Sequence, residues 1–549
     1  MASEQIIESD VLVIGGGMAG SFAAIKAREQ GADVVLVDKA YAGKSGSTPF
    51  AFWYAVFNPE WGHNLSEWMN HVNTIGEYVN HREWTELVFR ESHDRFQDLL
   101  SWGVEFIKRG DGELRTYSFP GVANTSFQLR KRVFGEVLRK QVRKAGVKIV
   151  DRVMLTDLVK SGDAITGALG FAMETGDLYV FKAKAVVLCS GCSSFKPDGW
   201  PVSELTGDGE AMAFRAGAEI AGKEFSEIKS TDAHFPAVTH GLIFWNKNEP
   251  VVMDEPDPGP PQCQPLKGVN AEGTEVYGLV GSNFIEMELE AHAGRAPITW
   301  ALGGEPAPRV GGAAAGISIH TTGGVWPSST RCDTNLPGLY VAGDSCATMQ
   351  VGAVYPGVGY ATCCASVSGT RAGTSAAEYA RAKKGLRTDE QEILRLKKAL
   401  HSPLERKGGF TPGWLTQMLR NTMIPYYVLS IKREDRMKAA LTMVEFMRDE
   451  LVPKLYARDI HDLRLAIETR NMVFNAELQL KASLFRKESR GTHYREDYPR
   501  RSDPDWLSWV ILKNESGTVV PSKREIPREW WPDMAKAYNE RYVNRFPGE

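Results

Sequence analysis

Hydrophobic and polar positions divide the chain into stretches of different period. Residues 11–14, VLVI, form a continuous apolar run, and residues 34–38, VVLVD, form a second that ends on an acid. Unbroken runs of this length predict strands buried on both faces, as in a parallel sheet covered by helices. Between them lie alanines at 19, 23 and 27, spaced for one face of a helix. Two later runs repeat the strand pattern, AKAVVLCSG at 183–191 and PGLYVAGD at 337–344. From 385 to 485 the period changes, and stretches such as TDEQEILRLKKAL and DRMKAALTMVEFM carry leucine and charged residues at helical spacing. The proline- and aspartate-rich EPDPGPPQCQP at 255–265 breaks any period and reads as loop. The expected fold is α/β, with a parallel sheet assembled from separated stretches and a helical region after it.

Composition narrows the function classes. A chain of 549 residues suits several structural units and a large core. Its 65 basic and 68 acidic residues nearly cancel, which offers no electrostatic footprint for nucleic acid. The N-terminus MASEQIIESD lacks the basic and apolar parts of a signal peptide, and no apolar run is long enough to span a membrane. The reading is a cytoplasmic protein. Seven scattered cysteines form no disulfide framework. Cys189 and Cys192 make a single CxxC without a second pair at metal spacing, so no metal site is expected. Ordinary core thiols are the main reading of that pair and a redox dithiol the other.

Residues 10–38, DVLVIGGGMAGSFAAIKAREQGADVVLVD, carry the most specific local signal. A buried strand meets Gly15-x-Gly17-x-x-Gly20, a helix follows, and a second strand ends at Asp38, 18 residues after Gly20. Gly15 permits the tight turn, Gly17 the approach of a pyrophosphate, and Gly20 the packing of helix on strand. The helix N-terminus offers N–H groups and positive dipole to phosphates, and Asp38 offers acceptors to ribose hydroxyls. Gly15, Gly17, Met18, Ala19, Gly20, Asp38 and Lys39 are therefore assigned to a dinucleotide. The two later strands end in Ser190-Gly191 and Gly343-Asp344. An acid in that place, ahead of a glycine-rich helix start, suits a ribityl chain, which NAD lacks. The dinucleotide is read as FAD.

With these pieces the chain resembles the flavoprotein subunits of succinate dehydrogenase and fumarate reductase. That family also holds aspartate oxidase and the alpha subunit of adenylylsulfate reductase. Besides the fingerprint, the resemblance rests on TGDGEAMAFRAGAEI (206–220), EFSEI (224–228), HTTGG (320–324) followed by LPGLYVAGD, and KESRGTHYREDYPRR (487–501). AGRAPI (293–298) is similar to the adenylylsulfate reductase branch. The resemblance implies a two-part FAD domain (1–225 and 319–384), an inserted α+β capping domain (226–318), a helical domain (385–505) and a tail (506–549). It also implies that Val153 or Met154 meets the adenine through its backbone, that Asp208 binds FAD, and that Asp344 holds the ribityl chain. Val358, Gly359 and Tyr360 would face the flavin's pyrimidine carbonyl from a helix start. Succinate and fumarate enzymes commonly carry a flavin-linking histidine in the turn that here reads Ser45-Gly46-Ser47, with Gly46 at that place. The expected FAD is noncovalent, with Ser45, Gly46 and Ser47 donating hydrogen bonds to it.

The family's dicarboxylate anchors are displaced. Lys229 stands where a substrate histidine is expected, Arg295 lies about two positions from the proton-shuttling arginine, His320 lies one position from the second histidine, and Tyr355 replaces the other substrate arginine. A C4-dicarboxylate would be left with unpaired charge, because such groups are held by charge-assisted bonds from arginine. His320, Tyr355, Lys229 and Arg295 become the catalytic candidates for proton transfer or oxyanion polarisation. Phe50, Phe52, Trp53 and Tyr54, with Trp245 and Trp326 from the cap side, read either as an apolar lining for a neutral cyclic substrate or as core. The leading function is a dehydrogenase or reductase that moves a hydride between flavin N5 and a small organic molecule. The second is the flavoprotein alpha subunit of an adenylylsulfate-reductase-like complex with an iron–sulfur partner, and the third a noncatalytic FAD-binding scaffold.

Overall fold

The computed structural model describes residues 3–549 apart from 52, 118–124, 131–132, 196–204, 226, 233–266, 270–274, 278–308, 317–322, 357–358, 387, 430 and 543–544. Its main sheet contains β1 (Glu4–Ile14), β2 (Val34–Asp38), β3 (Lys148–Asp151), β4 (Val153–Ser161), β5 (Ala164–Ala172), β6 (Leu178–Leu188) and β7 (Leu339–Val341). β1 extends upstream of its apolar run, and only the last four residues are continuously buried. It pairs in parallel with β2 and β6, and β3 continues the parallel set beyond β2. β6 changes neighbours along its length. Its first half pairs antiparallel with β5, and residues 186–188 pair in parallel with β7. One long strand thus joins a stretch near residue 340 to a sheet begun at residue 4, as the strand-like run at 337–344 predicts.

Helices α1 (Met18–Glu29), α2 (Leu65–Ile75), α3 (Arg82–Ser101), α4 (Phe134–Lys144), α5 (Asp208–Ala216) and α6 (Tyr360–Ala382) surround this sheet. α1 and α6 meet without intervening side chains. A Cβ on Gly369 would lie 2.4 Å from the Ala19 carbonyl oxygen, and one on Gly373 would lie 2.1 Å from that of Ala23. The small residues spaced four apart on each helix let the two backbones touch. Because α1 follows β1 and α6 follows β7, and both strands run parallel to β6, both helices begin at the same edge of the sheet.

The 385–505 region is helical, with α7 (Glu390–Glu405), α8 (Pro412–Met423), α9 (Glu434–Phe446) and α10 (Ile460–Phe485). α10 reaches the dinucleotide half of the molecule through Asn471 and Asn475, which donate to Asp208 Oδ1 at 2.8 Å and to the Gly207 carbonyl at 3.1 Å. The tail packs on the body as a hairpin, Ser508–Glu515 and Thr518–Glu525, turning through Ser516 and Gly517, both at positive φ. It extends a small sheet onto Ile220–Ala221 and Gly324–Val325, the strands on either side of the inserted segment. No helix among the described residues is long and apolar enough to cross a membrane.

The α1–α6 contact gives a direct test. Gly373→Val is expected to lower stability by at least about 2 kcal/mol, because its side chain must enter the Ala23 backbone. Gly413→Ala, with open space around its Cβ near the start of α8, is expected to be neutral to slightly stabilising. Thermal melts of both variants measure the difference.

Candidate flavin site at the edge of the sheet

The glycine turn after β1 is built from backbone contacts. A Cβ on Gly15 would meet the Cys189 carbonyl oxygen at 2.4 Å, and one on Gly20 would meet the Gly15 carbonyl oxygen at 1.8 Å. Gly16, which the fingerprint leaves unspecified, is equally constrained, since its Cβ would fall 2.5 Å from that of Ala42. The Met18 N–H at the head of α1 donates to Thr48 Oγ1 at 2.9 Å, so the Lys44–Phe50 turn rests on the start of this helix. Among the helices named above, α1 and α6 carry no acid in the first turn, a feature shared by α8 in the helical region, whereas α2, α3, α4, α5, α7, α9 and α10 all carry one. Two helix N-termini without carboxylates keep their positive potential for an anionic ligand.

Asp38 is buried at the end of β2. Its carboxylate accepts the Gly16 N–H at 2.8 Å, the Ala40 N–H at 2.8 Å and the Ser45 hydroxyl at 2.8 Å. A carboxylate offers about four acceptor positions, so one more hydrogen bond of the ribose type fits. Ser45 therefore spends its hydroxyl on Asp38, where the sequence reading has it donating to the flavin. Lys39, next in the chain, donates to Asp208 Oδ2 at 2.7 Å and lies 3.1 Å from Glu468 Oε1. Asp208 also accepts from Thr206 Oγ1 at 2.9 Å and Asn471. Burial opposes both charges, yet their attraction wins: Lys39 is raised above its ordinary range by Asp208 and Glu468, and Asp208 is lowered by Lys39 and its donors. Asp208 thus closes the site through Lys39, tying β2 to α5 and α10.

The opposite end of the crevice joins the two returning strands. Ser345 Oγ donates to the Gly191 carbonyl at 2.9 Å and lies 3.3 Å from Ser190 Oγ, which brings 190–191 against 343–345. Gly359 caps α6 at φ 88°, and a Cβ there would meet the Ala55 nitrogen at 2.4 Å. Thr362 Oγ1 and the Ala55 N–H both bond the carbonyls around this contact. The half-buried Tyr355 accepts the Ala361 N–H on its hydroxyl at 3.1 Å, in the first turn of α6. Tyr54, by contrast, is fully buried with its hydroxyl 2.7 Å from Ser366 Oγ, a core position.

The charged stretch 486–503 turns most of its arginines inward, with Lys487, Glu496, Asp497 and Arg500 left at the surface. Arg486 pairs with Glu224 at 3.0 Å and Glu488 at 2.8 Å, and Arg490 pairs with Glu488 and Asp503, each at 2.7 Å. All five side chains are essentially inaccessible to solvent. Arg501 clasps Glu77, and the Thr492 N–H donates to the Ala353 carbonyl at 3.1 Å. The stretch therefore holds the entry to the inserted segment at Glu224 and the loop that carries Tyr355. Lys432 donates to the Glu224 carbonyl at 2.7 Å and to His493 Nδ1 at 3.0 Å. Burial, aided by Arg495 and Arg486 and opposed by Glu224, pushes Lys432 down to about 7. Burial and the neighbouring cations hold His493 well below the ordinary histidine value.

The structure thus gathers Gly15, Gly17, Met18, Ala19, Gly20, Asp38, Lys39, Ser45, Asp208, Ser190, Gly191, Gly343, Asp344, Gly359, Tyr360 and Tyr355 along one edge. Gly46 lies exposed at φ 67° beside the half-buried Ser47. Val153 and Met154 begin β4 with both side chains buried in core, which leaves only backbone for an adenine. Lys229 is on a strand, Glu227–Asp232, paired with Ala314, and its side chain lies outside the described residues, as do His320, Arg295, Val358, Phe52 and Trp245. Trp326 belongs to a cluster with Trp509 and His81 and not to Trp53 and Tyr54. Cys189 and Cys192 are buried thiols, and burial pushes the Cys189 thiol far up, contrary to a redox dithiol. Among the described residues no His, Cys, Asp and Glu group is arranged to hold a metal. Gly16, Thr48 and Ser345 were not expected, and only the hydroxyl of Thr48, inside the same small-residue turn, offered a signal.

A parallel sheet with a glycine turn, a ribose-type acid and two bare helix starts at one edge defines a dinucleotide-binding flavoprotein fold. Comparison with known proteins agrees. A family model described as FAD binding domain matches residues 10–231, and one described as fumarate reductase flavoprotein C-term matches residues 417–535. An uncharacterized FAD-dependent oxidoreductase of Methanocaldococcus jannaschii is 27% identical, over 93% of this chain and 97% of its own. A fumarate reductase (CoM/CoB) subunit of Methanothermobacter marburgensis is 26% identical, over 93% of this chain and 98% of its own. The structure of adenylylsulfate reductase from Archaeoglobus fulgidus superposes with a TM-score of 0.77 at 19% identity, covering 96% of this chain and 97% of that one. The chain is an FAD-dependent oxidoreductase of the succinate dehydrogenase and fumarate reductase flavoprotein type.

The shifted lysine gives a pH test. Its folded value of about 7 lies below its ordinary 10.5, so the cost of burying the ammonium is fully present below pH 7. That cost disappears as pH rises toward 10.5, and stability rises with it. Lys432→Met is expected to flatten this rise in Tm between about pH 7 and 9.5. Parallel curves for the two proteins would show that the lysine is not shifted.

Proposed function

We propose that this enzyme binds its FAD noncovalently and oxidises or reduces a small, neutral, conjugated or cyclic carbonyl or alcohol, in place of succinate or fumarate. The observation that carries the reading is Tyr355. A phenol stands where the family's dicarboxylate enzymes place a substrate arginine, and it is fixed on the first turn of α6 by the Ala361 N–H. An arginine there would grip a carboxylate through paired, charge-assisted bonds, whereas a phenol can accept one N–H and donate one proton to a neutral oxygen. Bound FAD supplies the hydride chemistry. The chain's own part is to orient the substrate oxygen and move a proton at it. Tyr355 Oη is the proposed proton-carrying atom, with His320, Lys229 and Arg295 as further candidates. Gly46, at the place of the linking histidine, supports an unlinked flavin, because glycine offers no nucleophile.

A second reading has one specific support. The methanogen relative is named as one subunit of a fumarate reductase, and this chain covers 98% of it, so the chain could serve as one component of a complex and pass electrons to an iron–sulfur partner. The two readings separate under anaerobic mixing of the isolated chain with a panel of cyclic enones and alcohols.

Bleaching or recolouring of the visible flavin band by one of these substrates, without a partner, is the expected result, and fumarate is expected to leave the reduced protein unchanged. Tyr355→Phe is expected to slow the productive reaction by about a hundredfold while its flavin content stays the same. Fumarate turnover by the isolated chain, or a Phe variant at full rate, would remove the proposal. Reaction only after addition of a co-purifying brown protein would favour the second reading.

A further inference from the structure

The tryptophans of the C-terminal tail are not accounted for by the flavin site, and they converge elsewhere. A cavity of about 740 Å³ opens where the tail hairpin meets the strand leaving the inserted segment. Its walls include Trp326, Trp509, Trp530 and His81. The Trp326 and Trp509 rings lie 5.1 Å apart, His81 stacks on Trp509 at 5.3 Å and 12°, and Trp530 meets His81 edge-on at 5.1 Å. None of its lining residues belongs to the crevice assigned to FAD.

The charge around these rings is acidic once the arginines are accounted for. Arg524 is bound to Glu219 at 2.7 Å and lies 4.9 Å over the Trp326 ring, so this wall already holds one cation against an aromatic face. Arg82 donates to the backbone carbonyls of Glu529 and Trp530 and keeps its positive charge, which offsets one of the carboxylates at the opening. Glu83, Glu525 and Glu529 line the opening, are exposed, and make no salt bridge among the described residues. Aromatic faces with carboxylates around them attract cations through the ring quadrupole and through Coulomb attraction together. The buried Nδ1 of His81 makes no hydrogen bond among the described residues, which adds a polar point within the same wall. Burial pushes that imidazole down to about 4, so it adds no competing positive charge at neutral pH.

From the aromatic walls and the acidic opening, we infer that this cavity is a second ligand site, built for a small organic ammonium cation and separate from the flavin crevice. Trp326 follows directly on Gly324–Val325, the strand by which the chain leaves the inserted segment. A cation held there would sit at the root of that segment and not over the flavin.

The test uses the full-length, FAD-loaded protein and calorimetric titration with benzyltrimethylammonium, which has no N–H and is not an amine-oxidation substrate. Saturable binding is expected, weakened roughly tenfold in the Glu525→Gln/Glu529→Gln double variant and in Trp530→Leu, with both variants retaining their flavin. Neutral benzyl alcohol and anionic benzoate are expected to bind at least about tenfold more weakly. Equal or tighter binding of the alcohol or benzoate, unchanged affinity in both variants, or no saturable binding of the ammonium would each overturn the assignment.

Discussion

The contact between α1 and α6 is the constraint on which the site depends. Ala19 and Ala23 on one helix face Gly369 and Gly373 on the other at distances no larger side chain permits. Backbone meets backbone, and the two helices are locked with their starts on the same edge of the sheet. Each start brings a cluster of N–H groups and a positive dipole end, and neither is neutralised by a carboxylate in its own first turn. An extended anionic cofactor with a central pyrophosphate and an electron-accepting ring at one end fits that pair of poles. The family model that matches residues 10–231 is described as an FAD binding domain.

A second layer of organisation is ionic. The network from Glu224 through Arg486, Glu488 and Arg490 to Asp503 lies wholly inside the protein. Buried pairs contribute little net stability compared with apolar packing, but losing one partner costs on the order of 3–5 kcal/mol, since the remaining charge is stranded. Such a network therefore fixes geometry more than it adds stability. Its connections suit that role. Glu224 opens the inserted segment, Ala353 leads to Tyr355, and Glu77 follows the end of α2, so three parts of the chain are referred to one rigid frame.

Much of the fold was legible because the residues involved have few physical alternatives. Val11–Ile14 and Val34–Val37 are buried on both faces, as unbroken apolar runs require, and Gly15 and Gly20 sit where a Cβ would strike a carbonyl. Gly16 was not legible, because its constraint comes from Ala42, and Thr48 showed only as a hydroxyl in a small-residue turn, its bond to Met18 being supplied by the folded turn. The stretch 487–501 was recognisable as unusual, yet a string of charges does not announce that it points inward. Its partners Glu224, Glu77 and Asp503 lie far apart in sequence or outside the stretch. Trp326 shows the reverse limit. An aromatic residue near a cofactor segment reads as cofactor lining, and the structure gives it to Trp509 in the tail instead. Asp208 could be named from its motif, but its bond to Lys39 required the end of β2 and the start of α5 to be brought together.

The central claim is that FAD lies unlinked between these two helix starts, against a turn whose Gly46 has no side chain to link to it covalently. Acid precipitation of the purified protein, with flavin measured separately in the supernatant and the washed pellet, addresses this most directly. The account predicts that FAD leaves entirely with the supernatant, in an amount equal to the chain. Flavin fluorescence retained on the precipitated polypeptide, or a protein that stays colourless when supplied with FAD, would contradict it.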